Sequence, residues 1–208
     1  MGVRKGVVFA VFSVVVRECA CFPGDATVTL ESGESRTMAD LRIGDKVMAD
    51  GGTFEPVWFF GNADATAKTE VIRFHSQKND KSMRISLDHF MPVGKGRNNR
   101  YADKVEIGDR VASWDGLEVA MDIVDDKLYE EGVGLFDPYT TSGTIVVDGM
   151  LASCHVAPRS WTFLDHIWPT DLIPTYPDLY QFLSLVPRFV YGVVGPGPWA
   201  AAFRAPEL

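Results

Sequence analysis

Three stretches of this chain carry residue types that can do chemistry. Cys21-Phe22-Pro23-Gly24-Asp25 sets a cysteine before an expected strand, Ser86-Leu87-Asp88-His89 ends another, and Gly143-Thr144-Ile145-Val146-Val147 runs on to Ser153-Cys154-His155. A cysteine can attack the carbonyl of its own preceding residue through a five-membered ring, because proximity makes feasible a step that a free thiol would not perform. The bond at risk is Ala20–Cys21. Collapse of the tetrahedral centre to a thioester requires a proton on the departing nitrogen. A histidine titrating near neutrality suits that role, and His89 is the candidate. The Ser86 hydroxyl is a candidate to bond the scissile amide or hold it distorted. Cys154 reads as a disulfide partner of Cys21, as a thiol in exchange at the site, or as an inert core thiol. His155 reads as a second acid or base, or as an exposed residue at a strand end. His75 and His166 have no evident partners.

The elements that must hold these residues are strands. Ala26–Leu30 alternates, and Glu31-Ser32-Gly33-Glu34 reads as a hairpin turn. Short strands are expected at Lys46–Ala49, Val57–Phe60, Glu70–His75 and Met83–Leu87, with turn residues between them. No 3.6-residue period runs through to residue 150, so the domain is all-β, without the βαβ alternation of a nucleotide-binding sheet. One internal repeat stands out. Ala39-Asp40-Leu41-Arg42-Ile43-Gly44-Asp45-Lys46-Val47-Met48-Ala49 recurs as Ala102-Asp103-Lys104-Val105-Glu106-Ile107-Gly108-Asp109-Arg110-Val111-Ala112. The Ile-Gly-Asp-basic-Val cores lie 64 residues apart. Two copies are too few for a solenoid and suit one domain of two pseudo-twofold β halves.

Composition narrows the classes. With 208 residues, 46% hydrophobic and 23% charged, the chain has mass for a sizeable core. A net charge of −8 argues against a nucleic-acid surface, which needs clustered Lys and Arg. Three cysteines exclude a disulfide scaffold and a four-cysteine zinc site. No cofactor or metal is called for, and a monomer is expected. Arg4 and Lys5 precede an apolar run from Gly6 to Val16, so residues 1–20 read as a secretory signal-like segment, the end of an upstream segment, or a buried strand. This reading places the protein in the secretory pathway, outside the cell or at a membrane. The region 158–208 is rich in aromatic residues and proline; it reads as a short helical or irregular appendage, with a helix around Asp178–Val186 broken by Pro187. It suits packing on the domain or contact with a membrane interface.

Together the Cys-Phe-Pro-Gly opening, the doubled Ile-Gly-Asp element and the Gly-Thr-Ile-Val-Val…Leu-Ala-Ser-Cys close resemble the C-terminal autoprocessing domain of hedgehog proteins, a Hint domain with the intein fold. The resemblance spans residues 21–157. It implies Cys21 as nucleophile, His89 as the histidine of a Thr-x-x-His motif with Ser86 at the threonine position, and the chain's own N-terminal segment as substrate. Cys154 matches the family's closing cysteine, and His155 stands where the family has Tyr. No His-Asn ending is present, so protein splicing is not expected. The resemblance also implies a sterol acceptor activated by an Asp after a Phe-containing strand. Here that stretch is Trp58-Phe59-Phe60-Gly61-Asn62, Gly61 falls at the Asp position, and the nearest carboxylate is Asp64. Water or a small thiol is therefore the expected acceptor in preference to a sterol. Two other readings stand beside this one: a cysteine protease acting in trans, and a non-catalytic β interaction module with a membrane-touching tail.

Overall fold

The computed structural model describes residues 22–155 and 181–203. Twelve strands are present among them: β1 (Thr27–Thr29), β2 (Ser35–Thr37), β3 (Lys46–Met48), β4 (Phe54–Pro56), β5 (Phe59–Ser76), β6 (Lys81–Ser86), β7 (Phe90–Val93), β8 (Asn98–Tyr101), β9 (Arg110–Trp114), β10 (Val119–Tyr139), β11 (Thr144–Val147) and β12 (Met150–Ser153). One sheet runs β2-β1-β11-β12-β9-β10-β5-β6, with β7 joining β9 and β8, while β3 pairs with β4 alone. Two helices follow, α1 (Leu185–Val194) and α2 (Pro196–Phe203).

The repeat is structural as well as sequential. In the first copy a 3-10 turn at Met38–Asp40 leads through Gly44, at φ +96°, into β3; in the second a 3-10 turn at Ala102–Lys104 leads through Gly108, at φ +94°, into β9. Each aspartate closes its own turn. Asp45 accepts from the Arg42 amide and Asp109 from the Glu106 amide, both at 2.8 Å. Each is also paired with an arginine on the preceding strand, Arg36 at 2.9 Å and Arg100 at 2.6 Å. The flanking bonds match too: Gly44 donates to Val57 and Gly108 to Val124, and the Val57 and Val124 amides return to Asp45 and Asp109. This correspondence is the expected pseudo-twofold pair of β halves.

Two long strands join the halves. β5 and β10 run antiparallel from the Val124–Ser76 pair to the Tyr139–Phe59 pair, with three register irregularities. One lies between Val133 and Leu135, where Gly134 has φ +90°. A Cβ there would lie 2.7 Å from the Gly24 nitrogen, so only glycine admits the N-terminal segment across β10. That segment is then fixed by three backbone bonds: Gly24 to Val133 at 2.8 Å, Phe22 to Phe136 at 2.9 Å, and Phe136 back to Phe22 at 3.0 Å. Phe22 is wholly buried in the main core with Ile72, Phe74, Met83 and Ile85. Burial of such a ring contributes about 3 kcal/mol, enough to outweigh the ~1–2 kcal/mol of backbone entropy that fixing one residue costs.

Two expectations are corrected, and one long strand is added. Val57–Phe60 and Glu70–His75 are not separate strands; from Phe59 onward they are the two ends of β5, an 18-residue element. β10, with 21 residues, was not anticipated at all. Pro187 does not break the tail helix: it is the third residue of α1, where the amide lacks an intrahelical partner in any case. Residues 181–183 are helical, and a turn at Ser184 separates them from α1. The signal-like segment 1–20, Cys21, His166 and residues 156–180 lie outside the described residues.

Candidate active site

His89 is the centre of the site. β6 ends at Ser86, and a tight turn in which the His89 amide donates to the Ser86 carbonyl at 3.2 Å turns the chain into β7. The imidazole is fully buried, with its ring centroid 4.6 Å from that of Phe22, the residue that follows Cys21. Its Nε2–H donates to the Ser153 carbonyl at 2.5 Å. A carbonyl can only accept, so the proton is on Nε2 and Nδ1 carries the lone pair. Nδ1 is buried with no hydrogen-bond partner among the described residues. Burial pushes the His89 pKa down to about 4, against a smaller opposing effect of the Ser153 carbonyl. The expectation of a histidine titrating near neutrality is therefore corrected: at pH 7 the ring is neutral, and it must take a proton before it can give one.

Ser86 is buried at the last position of β6, opposite Val71 of β5. Cys154 follows Ser153 and is a buried free thiol, while Cys21, its expected disulfide partner, lies outside the described residues. Burial pushes its pKa up to about 12; a contact with Thr140 opposes this, and the carboxylates of Asp137 and Glu55 add to it. The Thr140 hydroxyl lies 3.4 Å from the sulfur and donates its own proton to the Thr144 carbonyl at 2.8 Å, so the thiol is the donor toward Thr140. His155 is buried, not exposed. Its Nε2 contacts the Gln181 amide at 3.1 Å, its ring meets Tyr139 edge-on at 5.4 Å, and burial, with lesser effects of His89 and Arg188, lowers its pKa to about 3.

The tail docks at the same end of the domain. Arg188 bonds the Thr141 carbonyl and the Gln181 side chain. Trp199 donates from Nε1 to the Trp58 carbonyl at 2.7 Å, while Trp58 donates from its own Nε1 to the Thr140 carbonyl at 3.1 Å. Trp58, Tyr191 and Trp199 form a small separate core.

The remaining candidates lie apart. Asp64 is exposed on β5, and its Oδ1 accepts from the Thr66 amide, the Thr66 hydroxyl and the Ala67 amide, which lower its pKa. It supports its own turn. His75 does have partners: Asp125 at 2.6 Å on Nδ1 and Asp80 at 2.9 Å on Nε2, which raise its pKa. One buried carboxylate near these elements is not singled out by the sequence. Asp137 of β10 is buried and stands over Gly61, where a Cβ would meet its Oδ2 at 2.5 Å. No motif marks it; its only signal is a lone carboxylate inside the run Val133-Gly134-Leu135-Phe136-Asp137-Pro138-Tyr139.

The chain matches the family model described as the Hint module over residues 10–167. Tiggy-winkle hedgehog protein of Danio rerio is 32% identical over 154 residues, covering 69% of this chain and 37% of that protein. Protein qua-1 of Caenorhabditis elegans is 26% identical, over 79% of this chain and 17% of that protein. The chain thus spans little more than a third of the first relative and less of the second. Among solved structures, a DnaB intein from Synechocystis superposes with a TM-score of 0.57 at 13% identity, over 66% of this chain and 99% of that one. A bacterial intein-like domain from Clostridium thermocellum gives 0.53 at 17%, over 65% and 99%. These superpositions establish the shared fold, and the family match, reaching well over half of the sequence and enclosing the His89 site, makes this chain a member of the Hint module family.

Proposed function

We propose that this chain cleaves itself once, in cis, at the Ala20–Cys21 bond. The observation that carries the reading is His89: a buried neutral imidazole, its tautomer fixed by Ser153, packed against Phe22, with Nδ1 left for chemistry. Nδ1 takes the Cys21 thiol proton as the sulfur attacks the Ala20 carbonyl carbon. The resulting imidazolium, unfavourable in this buried setting, gives the same proton to the departing amide nitrogen, and the C–N bond breaks to leave a thioester. Ser86 assists by hydrogen bonding the scissile amide. Placing the base beneath Phe22 suits a substrate that is the chain's own preceding peptide bond, and this favours the reaction in cis over a protease acting in trans.

The thioester then passes to an acceptor. Hydrolysis or transfer to a small thiol fits the Gly61 position better than transfer to a sterol. The likeness to hedgehog proteins keeps the sterol as the competing acceptor, with passage through the secretory pathway as the setting. Among the described residues no helix is long and apolar enough to cross a membrane. The deciding experiment is incubation of the purified chain with dithiothreitol or hydroxylamine. Cleavage at Cys21, absent in Cys21→Ala and strongly slowed in Cys21→Ser, is expected. An intact wild-type chain would refute the reading.

A further inference from the structure

The segment that carries α1 and α2 meets the β domain at a contact that can titrate. Gly143, at φ +79°, leaves a hollow beside the end of β12, where a Cβ would overlap the Gln181 amide nitrogen and meet His155 Nε2 at 2.5 Å. The Gln181 and His155 side chains meet in that hollow at 3.1 Å. Arg188 fixes the direction of their bond. A guanidinium can only donate, and this one donates to Gln181 Oε1 at 2.7 Å, which turns the amide NH2 group toward His155. Gln181 Nε2 therefore donates, His155 Nε2 accepts, and the His155 proton lies on Nδ1. A second proton, on Nε2, would set two donors against each other. His89, in the turn after β6, and Arg188, on α1, both act against a positive charge on the ring. Tyr139 of β10 meets the ring edge-on. Glu55 of β4 accepts from the Thr141 hydroxyl at 2.7 Å and the Ser142 amide at 2.6 Å, and its charge acts on Arg188 and Cys154; the charge of Asp137, on β10, acts on Cys154.

We propose that the segment 181–203 is a strap released by acid, with His155 as its latch: the neutral ring holds Gln181 in the Gly143 hollow, and the protonated ring expels it. Arg188 bonds the Thr141 carbonyl from the strap side and bonds both the side chain and the backbone carbonyl of Gln181, so the two residues leave together. Release uncovers an apolar shelf, because Tyr191 and Trp199 of the strap pack on Trp58, with Ile43, Phe59 and Tyr139 beside it. In the docked state burial holds the His155 pKa at about 3, below the ordinary 6.5. Docking is therefore fully favoured above pH 6.5 and weakens as the pH falls below that value.

The test is limited proteolysis of the full chain with proteinase K, normalised at each pH to cleavage of an unfolded peptide and mapped by mass spectrometry. At low protease the cleavage rate follows the open population. With the released ring at its ordinary pKa, cleavage within 181–203 is expected to rise about eightfold from pH 7.0 to 5.5 while the β domain stays intact. His155→Gln offers Gln181 an acceptor that does not titrate, and its rise is expected to stay under about twofold. Gln181→Glu sets a carboxylate opposite the ring, which favours the imidazolium, so cleavage of its strap is expected to hold level or fall as the pH drops. No rise in the wild-type chain overturns the latch, as does a rise in His155→Gln equal to that of wild type. If His155→Gln already leaves the strap open at pH 7.0, Gln181→Glu decides, and a wild-type rise in that variant overturns the proposal. The cuts scored lie far from the Ala20–Cys21 bond, so the outcome is independent of the acyl-shift reading.

Discussion

The Nε2–H of His89 donates to the carbonyl oxygen of Ser153 at 2.5 Å, tying the turn between β6 and β7 to the end of β12. A backbone acceptor cannot change its identity by mutation of its own side chain, so the tautomer of His89 is set by the fold. It follows that replacing His89 with a residue that keeps the bond to Ser153 but has no second basic nitrogen tests the chemistry apart from the architecture. His89→Gln should remain folded yet lose about two to four orders of magnitude in thiol-induced cleavage, the span of a lost acid-base group. Gel quantitation of the two fragments over time reads this directly. Cleavage in His89→Gln at the wild-type rate would remove His89 from the mechanism.

Acid should weaken the fold through the same two histidines. Their folded pKa values, about 4 for His89 and about 3 for His155, lie below the ordinary 6.5. The unfolded chain therefore binds more protons as pH falls below 6.5, and stability present above that value is lost progressively toward pH 4. For His89 alone the loss is on the order of 3 kcal/mol. Urea midpoints at pH 7.0 and 4.5 measure it. The wild-type midpoint should fall steeply between them, and His89→Asn/His155→Asn should flatten the fall. Equal slopes in the two proteins would show that other groups carry the acid sensitivity.

Cys154 is expected to be chemically silent. With its pKa raised to about 12, its thiolate fraction at pH 8 is on the order of one part in ten thousand. Iodoacetamide should leave Cys154 unmodified in the folded chain and label it in urea, as peptide mapping would show. Cys154→Ala should cost about 1–2 kcal/mol of stability through the lost packing and Thr140 contact and retain thiol-induced cleavage. Labelling of Cys154 in the native protein would contradict the buried thiol.

How much of this was legible beforehand follows the range of the interactions. The Ile-Gly-Asp turns are local, since Asp45 bonds Arg42 three residues before it and Asp109 bonds Glu106 in the same way, and the 64-residue spacing announces the paired halves. His89 was legible because it ends a short motif. β5 was not: Asn62-Ala63-Asp64-Ala65-Thr66-Ala67-Lys68 has weak strand propensity, and much of it is strand because β10 pairs alongside. Asp137 was invisible for a related reason. Its relation to Gly61 spans 76 positions and exists only once those two strands lie side by side. The tail helix was misjudged because proline reads as a breaker, whereas its place in the first turn of α1 makes it harmless.

The two turn glycines give the sharpest comparison, because the halves are alike in backbone and unlike in surroundings. Gly44 and Gly108 adopt nearly the same left-handed conformation, at +96° and +94°. Alanine at either position carries the same backbone cost, about 1–2 kcal/mol. Around Gly108 nothing lies within 4 Å of an added Cβ, whereas at Gly44 the Cβ would meet the Pro196 ring at 2.8 Å, at the first residue of α2. Gly108→Ala should therefore only lower the unfolding midpoint. Gly44→Ala should lower it by a similar amount and also push α2 away, withdrawing Trp199 from the Trp58 carbonyl that it bonds at 2.7 Å. Limited proteolysis separates the effects: the segment 181–203 should become cleavable in Gly44→Ala at protease levels that spare both Gly108→Ala and wild type. Equal protection of that segment in the two variants would show that α2 is not held against the first turn.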